Sequence, residues 1–187
     1  RVAADEVRLA LEKRRGGADH LSLGRADVGD DCVWPQVWRE GTQHMFSSAG
    51  RVMISQSTDG GQKWTASAIV VDKDGVDDRN AAILALSDTH WMVSYNEYTS
   101  AAESQARTVW TTDGGRTWLA SRPVAGWKTR TRSAAIQLST GRLLLPYYHY
   151  ETSLEQSLAA YSDNGGQTWT TVAVPNVAGL FMGNEWS

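Results

Sequence analysis

Thr111-Thr112-Asp113-Gly114-Gly115-Arg116-Thr117-Trp118 decides the fold, because the chain contains this stretch in three versions. The others are Ser57-Thr58-Asp59-Gly60-Gly61-Gln62-Lys63-Trp64 and Ser162-Asp163-Asn164-Gly165-Gly166-Gln167-Thr168-Trp169. Their shared template is Ser/Thr-x-Asp/Asn-x-Gly-x-x-Trp. Asp59 and Asp113 are 54 residues apart, and Asp113 and Asn164 are 51 apart. A period near 50 is that of propeller blades with four strands each. Each box lies between two short β-type runs, as Arg51–Ser55 and Thr65–Val71 flank the first. The Asp or Asn side chain can accept hydrogen bonds from the turn's own N–H groups, and the second Gly can take a positive φ. The Trp then covers the hairpin. These boxes read as folding devices, and turn carboxylates such as Asp59 and Asp113 are consumed by their own backbone.

Between the boxes the layout also repeats. Arg79–Leu86 is an apolar run, Ser87–His90 a turn, and Trp91–Tyr98 a second strand. Arg132–Leu138, Ser139–Gly141 and Arg142–Tyr150 follow the same plan. Ala106–Thr112 and Ser157–Ser162 are third strands, and the residues after each box form the fourth. The first strand of each unit is the most apolar and is expected innermost, covered on both faces. Units are expected at about 33–71, 79–124 and 132–174, with a further inner strand starting at 184. In the first unit Trp34–Trp38 reads as the inner strand, with a compressed hairpin over Arg39–Ser48. Three units and a stub do not close a ring, so another chain or a further stretch of this one is expected to complete it.

The 187 residues carry 18 Lys and Arg against 21 Asp and Glu, a net charge of −3, which gives no basic footprint for nucleic acid. Apolar runs reach about six residues, where a membrane helix needs about 20. One cysteine excludes an internal disulfide framework and a cysteine-rich metal site. No nucleotide-loop, zinc-protease or nucleophile-elbow motif occurs, and neither a cofactor nor a metal is expected. Nine Trp against two Phe suggest either repeated structural use of indole or a carbohydrate-binding surface. Residues 1–17 read as a short amphipathic helix over Ala3–Arg15 stopped by Gly16-Gly17, a linker to the repeats. Asp5, Glu6, Arg8 and Glu12 interrupt any signal-peptide core.

With these features the chain resembles the bacterial-neuraminidase-repeat, or sialidase, superfamily over about residues 33–187. The boxes match its Asp-box, and Ser139-Thr140-Gly141-Arg142-Leu143-Leu144-Leu145-Pro146 resembles the strand pair of its exo-sialidase-like members. Asp77-Asp78-Arg79-Asn80 and Gly183-Asn184-Glu185 resemble segments that precede its inner strands. The resemblance implies an all-β, six-bladed propeller of four-stranded antiparallel blades, and a secreted or periplasmic protein.

Strand parity adds an argument independent of the family. Four alternating strands return the chain to the face it left, so the starts of inner strands share one face and the boxes lie on the other. Trp34/Pro35, Arg79/Asn80, Arg132/Ser133 and Asn184/Glu185 are thereby expected at one central hollow. Guanidinium forks suit a sugar carboxylate. An anomeric carbon that already carries a carboxylate repels a carboxylate nucleophile, and sialidases use Tyr instead. The resemblance implies Arg79 and Arg132 as carboxylate ligands and Glu185 as the base that activates the Tyr. The Tyr and a last Arg are expected from later blades. The family's first arginine has no counterpart before Pro35, where Val33 and Trp34 stand. Its acidic Asp is also missing from the segment before the first box, which offers Glu40 and His44. Asp77 or Asp78, next to Arg79, is a substitute, so Asp78 and His44 are the candidate acids, with Asn80, Tyr148 and His149 at the pocket rim. The expected function is a sialidase-like glycoside hydrolase acting on sialosides or other acidic sugar glycosides. The alternatives are a propeller that binds glycans or proteins without catalysis, and an assembly propeller such as the photosystem-assembly factors with similar turns.

Overall fold

The structure is a computed structural model that describes residues 26–28, 31–38, 46, 48–100, 102–151 and 154–175. These form thirteen strands and no helix. The first sheet holds β1 (Ala26–Val28), β2 (Asp31–Trp38), β3 (Arg51–Ser57) and β4 (Ala68–Val71), hydrogen-bonded in that order. The second holds β5 (Asp77–Ala85), β6 (Trp91–Tyr98), β7 (Ser104–Thr111) and β8 (Arg122–Pro123). In the third, β9 (Thr129–Arg130) and β10 (Ile136–Gln137) both pair with β11 (Leu143–Glu151), followed by β12 (Leu154–Ser162) and β13 (Thr170–Ala173). Every pairing among the described residues is antiparallel, and all but that of β9 with β11 join sequence neighbours, the meander of a propeller blade.

The boxes link third strand to fourth in all three sheets and share one hydrogen-bond plan. The hydroxyls of Ser57, Thr111 and Ser162 donate to Oδ1 of Asp59, Asp113 and Asn164 at 2.8, 2.8 and 2.9 Å. The same hydroxyls accept from the N–H of Gly61, Gly115 and Gly166. Each Oδ1 also accepts an N–H four residues on, at Lys63, Thr117 and Thr168. A buried hydroxyl two places before the Asp is therefore as necessary as the Asp itself. Both glycines of each pair, not the second alone, have positive φ. The second also lies against an indole: a Cβ on Gly166 would collide with the Trp110 ring, and one on Gly115 would come within 2.8 Å of Trp91 Cζ3.

Blades pack face to face. Trp91, Val93 and Tyr95 of β6 join Val52, Ile54 and Val70 of the first sheet in one apolar cluster. Met92 of the same strand joins Trp110 and, from the third sheet, Leu143, Leu145 and Tyr147 in a second cluster. This is the two-residue alternation of a strand buried on both faces. The indoles of Trp118 and Trp169 pack against these two clusters, while Trp64 is 41% exposed.

Three expectations change. The strand buried throughout is the second, β6, and not the first. Flanking sheets cover both its faces, whereas Ile136 of β10 is 52% exposed. Trp34–Trp38 is not an inner strand either. It belongs to β2, which runs in register with β3 from Cys32↔Ser57 to Trp38↔Arg51, while β1 takes the first position. Trp34 and Pro35 thus sit in mid-strand opposite Ser55 and Ile54, away from the strand starts. Lastly, the run expected as one strand over Arg132–Leu138 is broken between β9 and β10. Pro146 is the cause. Tyr150 of β11 donates its N–H toward the inner side, to Lys128 O. Alternation gives position 146 the same orientation, but Pro has no N–H to donate. The Pro146 carbonyl accepts the Thr131 hydroxyl instead, at 3.0 Å. The helix expected over Ala3–Arg15 and the inner strand expected at 184 lie outside the described residues.

Candidate functional site

The starts of β5 and β9 and the ends of β6 and β11 meet at one end of the sheets, opposite the boxes. Arg79 reaches that end through a bulge. Its cross-strand partner is Asn96, but Ala82 pairs with Ser94, so β5 carries one extra residue there. Asn80 absorbs it at φ 58°, a left-handed conformation that Asn tolerates. The Arg79 guanidinium lies 3.8 Å over the Tyr98 ring, with Nη2 3.3 Å from Asp77 Oδ2. Its side chain is 13% exposed and that of Asp77 is fully buried.

Arg130 sits in the same way one blade on. Its cross-strand partner is Tyr148, and its guanidinium lies 3.9 Å over Tyr150. Tyr148 and Tyr150 occupy the β11 positions that Asn96 and Tyr98 occupy on β6. Arg130, not Arg132, is therefore the register counterpart of Arg79. The Arg130 guanidinium also lies 4.9 Å over Tyr98, and its Nε donates to Ser104 Oγ at 2.9 Å. Arg79, Tyr98, Arg130 and Tyr150 thus form an alternating run of guanidinium and phenol groups that crosses from one blade to the next. Burial raises the Tyr98 pKa, and the nearby Arg130 and Arg79 charges work against the rise.

Arg132 is exposed, with Nε 3.4 Å from the hydroxyl of the buried Tyr148. Its place is fixed through Thr131, whose N–H donates to Asn96 Oδ1 at 2.7 Å while Asn96 Nδ2 donates to Thr131 O at 2.8 Å. Ser94 Oγ donates to Ser133 O at 3.1 Å. Side chains of β6 therefore hold the segment that the β11 ladder releases at Pro146.

Asp78 lies apart from this group. It is fully buried, pairs across the ladder with the buried Glu97, and accepts the Lys73 N–H on Oδ2 at 3.2 Å. Its Oδ1 takes no hydrogen bond among the described residues. Glu97 Oε1 is 2.9 Å from Lys73 Nζ and Oε2 is 3.4 Å from Arg107 Nε. Burial, reinforced by the Glu97 charge and opposed by the Lys73 hydrogen bond, pushes the Asp78 pKa up to about 7.

The structure thus brings Arg79, Arg132 and Tyr148 to one end, with Asn80 and His149 half-buried beside them. It encloses Asp78 between blades. His44 and Glu185 lie outside the described residues. Arg130 and Tyr98 were missed, though a signal was present: Thr129-Arg130-Thr131-Arg132 alternates, and Tyr98 and Tyr150 keep the repeat at 52 residues. Among the described residues no group of three His, Cys, Asp or Glu side chains could hold a metal ion.

The family described as BNR repeat-like domain matches residues 36–185. No curated protein matches the chain. Among solved structures the chain is similar to a Dyadobacter fermentans protein of unknown function, with TM-score 0.67 and 14% identity over 81% of this chain and 54% of that one. It is also similar to Trypanosoma rangeli sialidase in complex with sialic acid, with TM-score 0.68 and 14% identity over 88% and 34%. A mutant of that sialidase displaying trans-sialidase activity gives TM-score 0.67 and 13% identity over the same shares. The chain spans about half the length of the first and about a third of the sialidases. At these identities the likeness establishes the propeller fold.

Proposed function

The chain belongs to the BNR repeat-like domain family, and on that premise we propose that it serves a sialidase-like glycoside hydrolase of the exo-α-sialidase type. Its substrates are sialosides or related acidic sugar glycosides. The observation that carries this reading is the grouping of Arg79, Arg130 and Arg132 around Tyr98 and Tyr148 at the end opposite the boxes. Arginines that keep their charge at all working pH values, held at one end of a propeller, suit a carboxylate. In the proposed site Arg79 and Arg132 bind the substrate carboxylate, and Asn80 and His149 line the rim.

Chemistry at such an anomeric carbon proceeds through a Tyr nucleophile with a carboxylate base, because a carboxylate nucleophile would meet like charge. Glu185 is the base that the family resemblance assigns. Asp78 is fully buried beside Glu97 and would have to be uncovered to act as the acid, and His44 is the other candidate. The test is release of fluorophore from a 4-methylumbelliferyl sialoside by the intact protein, together with calorimetry on free N-acetylneuraminic acid. Turnover that Arg132→Ala lowers at least tenfold supports the reading. Binding without turnover selects a non-catalytic glycan-binding propeller. Neither binding nor turnover overturns both.

A further inference from the structure

We propose that Tyr98 is a positioning residue for anion binding, and that Arg130 joins Arg79 as a carboxylate-binding group because this one ring orients both. The inference rests on the reading above and adds two residues to it. Arg79 comes from the first strand of the second blade and Arg130 from the first strand of the third, so no single hairpin sets their separation. Tyr98 does. With one guanidinium carbon 3.8 Å and the other 4.9 Å from its centroid, the two cations are at most about 9 Å apart. Two cations at such a distance repel, and the electron-rich ring face offsets that repulsion.

The position over the ring also has a consequence for the donors. A guanidinium whose carbon is held over a ring face keeps N–H donors at its periphery, and a planar carboxylate is taken bidentately by such a fork. Tyr98 is buried and sits at the last position of β6, a strand fixed on both faces, so its ring has little freedom to move. Ser104 Oγ on Arg130 Nε and Tyr150 beneath Arg130 hold the second guanidinium from its own side. Asp77 holds the first. An acidic sugar whose carboxylate meets these two forks is distinguished from its neutral ester by charge and by shape together.

The experiment compares binding of methyl α-N-acetylneuraminoside and of its uncharged C1 methyl ester, by calorimetry, in the intact protein. Tyr98→Leu is expected to weaken binding of the acid about tenfold while leaving the ester within about twofold, and Tyr98→Phe, which restores the ring face, to recover most of the loss. Arg130→Lys keeps the charge but not the planar fork, and is expected to weaken the acid selectively as well. This second variant decides the matter if Tyr98→Leu does not fold. Equal losses for acid and ester in either variant mean that the ring only packs, and overturn the inference alone. Wild-type protein that binds neither compound overturns the sialoside reading and this inference with it.

Discussion

Asp78→Asn should make the protein more stable, and by an amount that grows with pH. The wild-type carboxyl is sealed between blades beside Glu97, with a pKa raised from 3.8 to about 7. A carboxyl whose folded pKa exceeds its unfolded one holds a proton in the native state that the unfolded chain has released. Stability therefore falls as pH rises from about 4, and the loss is complete just above 7. The gap of about 3 units corresponds to at most about 4 kcal/mol at 1.36 kcal/mol per unit. Asn is the neutral isostere, and its side-chain oxygen can still accept the Lys73 N–H. Its advantage over wild type should be small at pH 5 and grow to a few kcal/mol at pH 8. Urea unfolding followed by tryptophan fluorescence at the two pH values measures the difference. An Asn variant whose advantage stays constant from pH 5 to pH 8 would show that Asp78 is ionised in the folded protein throughout, and the account of its burial would be wrong.

Gly166→Ala must place a Cβ at φ 77° and against the Trp110 ring of the preceding blade, so a loss of about 2–4 kcal/mol is expected in chemical denaturation. Asn96→Leu keeps the volume but strips two hydrogen bonds from the Thr131 backbone; about 2–4 kcal/mol should be lost, and Arg132 displaced, which NMR of its Nε–H can follow. Asp113→Asn should be tolerated, since Asn164 fills the same place in the third box, whereas Asp113→Ala should lower the melting temperature. Hydrogen bonds from the Thr117 and Thr111 hydroxyls and the Thr117 N–H hold the Asp113 pKa down at about 2, so its stabilising effect is complete above pH 4 and fades as pH falls toward 2. A melting temperature that does not distinguish Asp113→Ala from wild type at pH 7 would count against the box as a folding device.

The boxes, their spacing and the strands between them were legible in the sequence because their causes are local. A hydroxyl, a carboxylate or carboxamide, two glycines and an indole within eight residues make the same turn wherever they occur, and alternation then counts the strands from turn to turn. The end on which Arg79 and Arg132 fall followed from that count. Local pattern does not carry register. In the first blade Ala26–Val28 has no strong pattern of its own, and its place as the first strand is set by pairing with β2. Spacing pairs Arg132 with Arg79, but the bulge at Asn80 and the missing N–H of Pro146 shift the two ladders differently, and Arg130 takes the equivalent place.

Asp78 shows the same division. Sequence places it beside Arg79 and so at the site, but adjacent residues on a strand point to opposite faces, and only the neighbouring blade shows that this face is closed. Sequence alone thus determined a repeating antiparallel β architecture with arginines at one end. Which guanidiniums stack on Tyr98, and which carboxylate is sealed from water, only the packing of one blade on the next decided, because those contacts join residues that no local rule links.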